Sequence, residues 1–271
     1  MRGLVVTQNL FFEGGFLMDL KVVLYEKKDR VAIITMNYQE RLNALSDQLR
    51  KDLRTAYEEA LNDREVGAVI LTGAGRAFCA GADISGFTFD TPSIRKFMRD
   101  VMPFLAMLEK FPKPVIAAVN GLALGGGLEI AISCDIIIAS EKAKFGVPEA
   151  AIGLVPGFAI LRLHQIVGRA KSKELAMTCD QISAEEALRI GLVNKVVPHE
   201  SLMDAAMEMA QKVLSKAPLA VELIKLAVNR ELHGEELAYA QEALGFLMKS
   251  EDAKEGMDAF LNKRKPVYKG L

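Results

Sequence analysis

The sequence predicts an α/β fold, and three observations predict it. Short runs of β-branched and apolar residues alternate with longer stretches of helical periodicity up to about residue 197. Two glycine-rich turns each follow directly on such a strand-like run. Beyond residue 197 the strand signals stop and the pattern is helical to the end.

Residues 22–26 and 31–36 are β-rich and flank Lys27-Lys28-Asp29-Arg30, which reads as a hairpin. Ser46 caps a helix whose apolar positions are Leu49, Leu53, Ala56, Tyr57 and Ala60. A buried strand over 66–71 ends at Thr72-Gly73. The next amphipathic stretch carries Ile94, Phe97, Met98, Val101, Met102, Leu105 and Leu108; Pro103 inside it predicts a kink or two abutting helices. Residues 115–119 form another strand, Gly125-Gly126-Gly127 opens a helix running to about Ser133, and 136–139 is a further buried strand. The expected spiral therefore repeats ββα or βαβ turns.

Ser183-x-x-Glu186 is a capping box, and a short strand over 192–197 follows its helix. Ser201-x-x-Asp204 opens another helix, Pro218 starts the next and Gly234 closes it. A last helical pair covers 235–249 and 252–262. Three parts result: an extension over 1–17, a core over 18–200 and a helical region over 201–271. That region packs on its own core or onto a neighbouring subunit, and the pattern does not choose. The extension reads as non-native or as lying upstream of the true start, because Met18 is followed at once by strand-like sequence; a structural N-terminal arm is the alternative.

Composition excludes several classes. A chain of 271 residues, 51% hydrophobic, has a full core without staples, since roughly 75% of the unfolded surface is buried at this size. Lys and Arg number 34 against 35 Asp and Glu, and this balance argues against a surface for nucleic acid, which needs clustered, uncompensated cations. Cys79, Cys134 and Cys179 stand far apart with no C-x-x-C pair, which fits a reducing compartment. No apolar run approaches the ~18 residues of a membrane helix. A cytoplasmic protein with no membrane or nucleic-acid partner is expected.

Common catalytic motifs are missing as well. Gly73-Ala74-Gly75 follows a strand, but position 78 is Phe, so the dinucleotide fingerprint fails. There is no Walker loop, no H-E-x-x-H metal site and no G-x-S-x-G elbow. His164, His199 and His233 sit in separate segments and read as surface or packing residues.

What remains is two turns and two acids. The turns are Phe78-Cys79-Ala80-Gly81-Ala82-Asp83-Ile84 and Asn120-Gly121-Leu122-Ala123-Leu124-Gly125-Gly126-Gly127-Leu128-Glu129. Small residues let a ligand reach the backbone, and a helix start leaves N–H groups unpaired. Brought together, the turns offer two donors to one developing oxyanion. The alternative is that the glycines only permit tight helix–strand packing. Glu129 lies within the apolar run Leu128-Glu129-Ile130-Ala131, costly unless it is solvated, paired or functional. Glu149 follows Pro148 on a loop or strand edge, and spacing alone does not show the two acids facing each other.

From about Leu20 to Gly270 the chain resembles the crotonase, or enoyl-CoA hydratase/isomerase, superfamily. The resemblance rests on Arg41-Leu42-Asn43-Ala44-Leu45, the two glycine-rich turns, Lys113-Pro114-Val115-Ile116-Ala117, residues 145–157, Ile182-Ser183-Ala184-Glu185-Glu186-Ala187 and the tail from Phe260 to Pro266, in that order. It implies a crotonase-like spiral of ββα turns with a C-terminal helical trimerisation region, assembled as a homotrimer or dimer of trimers. The ligand implied is an acyl-CoA thioester, with no separate cofactor and no metal. By position, the N–H groups of Ala82 and Gly126 bind the thioester oxygen. Ala44, Ala80, Asp83 and Ile84 lie along the CoA moiety, and Phe260 and Lys263 reach it from the tail. Glu129 and Glu149 match the two acids of hydratases, implying syn addition of water to a 2-enoyl-CoA. An isomerase, or a hydratase-like enzyme for a branched or cyclic acyl group, is the alternative; a non-catalytic CoA-binding or scaffold protein is the second.

One stretch departs from the superfamily. Pro156-Gly157-Phe158-Ala159-Ile160-Leu161-Arg162-Leu163 is one residue shorter than the usual P-G-x-G-G-T-Q-R-L, and its polar turn is apolar. That turn is expected to seat the neighbouring helix and the second acid, so the change bears on acyl specificity and on the position of Glu149.

Overall fold

The computed structural model describes residues 19–83, 91–152 and 154–229, together with 251, 252, 255, 256, 259, 262 and 264–271. The hairpin forms as β1 (Val23–Lys28) and β2 (Val31–Met36), paired antiparallel around Asp29, which takes a left-handed φ of 54°. Strands β3 (Ala68–Gly73), β5 (Val115–Val119), β7 (Ile136–Ser140) and β10 (Lys195–Val197) extend it in parallel, giving one sheet in the order β1-β2-β3-β5-β7-β10.

A second sheet runs beside it. Its strands are β4 (Ala77–Cys79), β6 (Leu122–Leu124), β8 (Lys144–Gly146) and β9 (Ile182–Ser183), in that order. Each spiral turn therefore places one strand in each sheet and then a helix: β3-β4-α2 (Thr91–Glu109), β5-β6-α3 (Gly126–Ile132) and β7-β8-α4 (Ala159–Val167). This is the expected ββα spiral. Helix α2 runs as one element through Pro103, which rules out two abutting helices, one of the two expectations there.

The caps follow local chemistry. Ser46 Oγ accepts from Leu49 N–H at the start of α1 (Asp47–Asn62), and Ser183 Oγ accepts from Glu186 N–H at the start of α6 (Ala184–Arg189). Helix α5 (Arg169–Thr178) lies between α4 and β9. Ser201 does not cap α7 (Leu202–Leu214), because a 3₁₀ turn over His199–Ser201 already holds it in helical backbone.

The large sheet has a core on each face. Toward α1, α2, α3 and the second sheet lie Ile34, Leu53, Tyr57, Leu71, Phe104 and Phe145, all essentially inaccessible. On the other face Leu202, Ala205, Ala206 and Ala210 of α7 pack on Ile70, Ile116 and Ile138. The first helix of the C-terminal region thus packs on its own core. No helix of the described residues is long and apolar enough to cross a membrane, and the three cysteines are free.

Helix α8 (Pro218–Val228) starts on its proline and is pinned by one buried cation. Lys225 Nζ reaches Asp135 Oδ2 at 2.8 Å and the Lys113 carbonyl at 3.3 Å; the two side chains are 5% and 21% exposed. Burial raises the Asp135 carboxyl above its ordinary range, opposed by Lys225. Lys225→Met strands that charge, and breaking such a pair from one side costs about 3–5 kcal/mol. The loss is expected to be largest at neutral pH and to shrink on acidification, as Asp135 takes up a proton. Denaturant midpoints at two pH values check this; an equal loss at both contradicts it.

Candidate active site

The second sheet explains why distant glycine-rich segments meet. Strands β4, β6 and β8 are parallel, with Cys79 opposite Ala123, Ala123 opposite Phe145 and Leu124 opposite Gly146. Their following turns therefore emerge side by side at one edge. Three residues beyond Cys79 is Ala82, three beyond Ala123 is Gly126, and four beyond Phe145 is Glu149. Ligands commonly bind outside the carboxyl ends of parallel strands.

Two buried asparagines hold these turns. Asn43 Oδ1 accepts from Tyr38 N–H, and its Nδ2 donates to the carbonyls of Ala74 and Ala77. Asn120 Oδ1 accepts from Gly73 N–H, and its Nδ2 donates to Gly75 and Ala77. Neither was singled out as a functional residue from the sequence, because a lone Asn carries no periodic signal.

Residues 42–45 run alongside residues 80–82. Ala80 N–H donates to Leu42 O at 3.1 Å and Leu45 N–H to Gly81 O at 2.8 Å. Ala44, Ala80, Ala82 and Asp83, all half-buried, are thereby brought to one rim. Ile84, Phe260 and Lys263 lie outside the described residues. Of the histidines, Ser140 Oγ lies 3.0 Å from His199 Nδ1, His164 is exposed on α4, and His233 lies outside the described residues.

The triple glycine divides its work. A Cβ on Gly127 would lie 1.9 Å from the Cys79 carbonyl oxygen, so this glycine is the packing glycine. Gly125, at φ 51°, bends the chain from β6 into α3 in a conformation closed to side chains. A Cβ on Gly126 meets nothing closer than Ala82 N at 3.5 Å. Its neighbourhood is open, and what it faces is a backbone donor. Among the described residues neither Ala82 N–H nor Gly126 N–H donates to another backbone group.

Glu129 stands one turn into α3, its N–H on Gly125 O, and its residue is only 4% exposed. Its Oε1 accepts from Phe158 N–H at 2.7 Å and Ala159 N–H at 2.9 Å. Burial raises this carboxyl, and the two N–H groups oppose that. Among the described residues Oε2 accepts no hydrogen bond. The shortened turn thus seats Glu129, whereas the sequence placed it with Glu149. The reason is local: α4 starts there with unpaired N–H groups and no acidic residue in its first turn, so Glu129 serves as its cap from another helix.

Glu149 lies on a 3₁₀ turn, Pro148–Ile152, rather than an open loop. Among the described residues its Oε2 is buried without a hydrogen-bond partner. Burial pushes its carboxyl up to about 7, its own N–H opposes this, and the charge of Glu129 adds to the rise. The acids are therefore close enough to feel each other, which spacing did not show. Oε1 lies against Gly125, where a Cβ would sit 2.6 Å away. Gly125→Ala is accordingly expected to displace Glu149 and strain the turn, cutting turnover at least about 10²-fold, as misplacing a catalytic group does. Steady-state rates on folded protein check this; wild-type turnover would show that Glu149 needs no such seat. A cavity of about 520 Å³ bounded by Glu109, Asp135, Arg162 and Lys225 contains none of these site residues.

Among the described residues, two backbone N–H groups without a backbone partner therefore lie beside one buried carboxyl, Glu129, and one half-buried carboxyl, Glu149. The chain belongs to the enoyl-CoA hydratase/isomerase family, whose model matches residues 26–271. It is 49% identical over 254 residues to a short-chain-enoyl-CoA hydratase of Clostridium acetobutylicum, covering 92% of this chain and 97% of that protein. It is 40% identical to a crotonyl-CoA hydratase of Syntrophomonas wolfei, covering 91% and 97%. Among solved structures, an enoyl-CoA hydratase of Bacillus anthracis superposes with a TM-score of 0.86 at 36% identity, over 93% of this chain and all of that one.

Proposed function

We propose that the chain is an enoyl-CoA hydratase that adds water, syn, across the double bond of a short 2-enoyl-CoA thioester. The observation that carries this is the pairing of Glu149, whose carboxyl rises to about 7, with Glu129, whose charge contributes to that rise, beside the N–H groups of Ala82 and Gly126. The names of the Clostridium and Syntrophomonas relatives support the acyl-CoA substrate and its short chain.

In this reading the thioester oxygen accepts from Ala82 and Gly126. Glu129, through Oε2, takes a proton from water as the water oxygen attacks the β-carbon. Electron density moves onto the thioester oxygen as an enolate, where one donor is typically worth about 10²–10³ in rate. Glu149, protonated, gives its proton to the α-carbon, and the product is a 3-hydroxyacyl-CoA. Afterwards Glu129 holds a proton and Glu149 lacks one, and exchange with solvent restores both. Ala44, Ala80, Asp83 and Ile84 contact the CoA moiety, and Phe260 and Lys263 reach it from the tail. The C-terminal region over 201–271 assembles trimers or dimers of trimers in the cytoplasm, with no cofactor beyond the CoA of the substrate.

The test is loss of conjugated-thioester absorbance on a panel of short, long and branched 2-enoyl-CoA esters, run beside a 3-enoyl-CoA. Hydration of the short esters is expected. Turnover of the 3-enoyl ester alone would make the chain an isomerase, and no turnover of any would leave a CoA-binding protein.

A further inference from the structure

We propose that Arg162 is a positioning residue for Glu129, acting through the turn that opens α4; this rests on the catalytic reading of Glu129. The turn Pro156-Gly157-Phe158-Ala159 contains no side chain able to hydrogen-bond, yet its N–H groups at 158 and 159 converge on one carboxylate oxygen. No side chain of the turn can hold it in register, which leaves its backbone and what packs on it from outside. Ile160 N–H bonds Pro156 O from within. From outside, the guanidinium of Arg162 lies 5.8 Å from the ring centroid of Phe158, one helical turn back on α4.

The guanidinium is itself anchored. Arg162 Nε donates to both oxygens of Glu109, at 3.0 and 2.9 Å, and Glu109 is the last residue of α2. The Glu109 carbonyl in turn accepts from Asn229 Nδ2 at the end of α8. The side chains of Glu109 and Arg162 are 10% and 25% exposed, so this pair is shielded more than a surface ion pair. Two helices thus brace Arg162, Arg162 braces the Phe158 ring, and the backbone of Phe158 and Ala159 orients Glu129. Donors fixed on one oxygen stabilise the charged carboxylate and leave the other oxygen aimed at water.

Arg162→Met keeps an unbranched apolar stem and removes the brace. It is expected to lower kcat about 10- to 100-fold, the cost of small misplacement at a reacting centre. KM should stay within about two-fold, since binding contacts are untouched. The acid limb of the kcat profile should move to higher pH, because a carboxylate that loses donors holds its proton more tightly. In a Glu129→Gln background, Arg162→Met should add no further loss, as expected of residues acting as one unit. Arg162→Lys, which can still pair with Glu109 but offers no planar group to the ring, is expected to show the same shift of the acid limb with a smaller loss of kcat.

Folded Arg162→Met with wild-type kcat and an unmoved acid limb overturns the proposal. So does an additional loss of equal size in the Glu129→Gln background, which marks a general structural role. If Arg162→Met fails to fold, an unmoved acid limb in Arg162→Lys overturns it. Glu129→Gln alone separates the two claims. If it turns over normally, the reading of Glu129 falls and the proposal with it; if it is inactive while Arg162→Met is normal, only the proposal falls.

Discussion

Glu149→Gln is expected to cut hydration by about 10²–10⁴-fold, the usual worth of a general acid, while making the protein more heat-stable above neutral pH. The first effect follows from removing the proposed proton donor at the α-carbon while keeping its volume. The second follows from linkage. The carboxyl stands at about 7 in the folded chain against 4.5 ordinarily, so the folded state binds its proton more tightly than the unfolded state. Stability contributed by the neutral acid is present below 4.5 and is lost as pH rises through about 7. A glutamine stays neutral throughout. Allowing for partial exposure, a gain of about 1 kcal/mol, or about 2–4 °C in Tm, is expected at about pH 8.5 and almost none at about pH 4. Scans at both values beside turnover check it. A stability gain independent of pH would mean that the charge of Glu149 is not what strains the fold, and near wild-type hydration would remove it from the mechanism.

Gly126→Pro is the second large effect. Proline suits the first position of a helix, so α3 should form. Its ring, however, replaces the N–H that we propose binds the thioester oxygen, and loss of one such donor costs about 10²–10³ in turnover. Gly126→Ala keeps the donor, which on sequence grounds suggests a milder outcome. The geometry sharpens that comparison. The added methyl finds room but sits 3.5 Å from Ala82 N, over the second donor. Both variants are therefore expected to stay folded and lose activity, with proline the worse. Gly127→Ala behaves oppositely, since its methyl would meet the Cys79 carbonyl at 1.9 Å and the fold must give way. Melting temperature and hydration rate on the same preparations separate donor from packing glycine. Fully active Gly126→Pro contradicts the oxyanion role.

Much of this was legible from residue order. The hairpin, the Ser46 and Ser183 caps and the helix opening at Gly126 announce themselves through local chemistry, whereas Glu129 and Glu149 are paired only by the family resemblance. The second sheet did not. Strands β4, β6 and β8 have three residues each, too few to show alternation, yet their register alone brings Ala82, Gly126 and Glu149 to one edge. Ser201 looked like a cap but lies inside a preceding 3₁₀ turn, a tertiary outcome that spacing does not encode. The shortened turn showed its apolar character in the sequence, but not its partner. That partner is Glu129, because the unpaired N–H groups of α4 face α3. The division of labour among three consecutive glycines likewise depends on what each would touch across the fold.

The central claim is that one site delivers a proton from Glu149 to the α-carbon and water by way of Glu129 to the β-carbon, on one face. Hydrating crotonyl-CoA in deuterium oxide tests it most directly, with the position and configuration of the label read from the 3-hydroxyacyl product. A single deuterium at the α-carbon, syn to the new hydroxyl, is predicted. Anti placement, or label scattered between both α-positions, would contradict two acids working together from one side of the substrate.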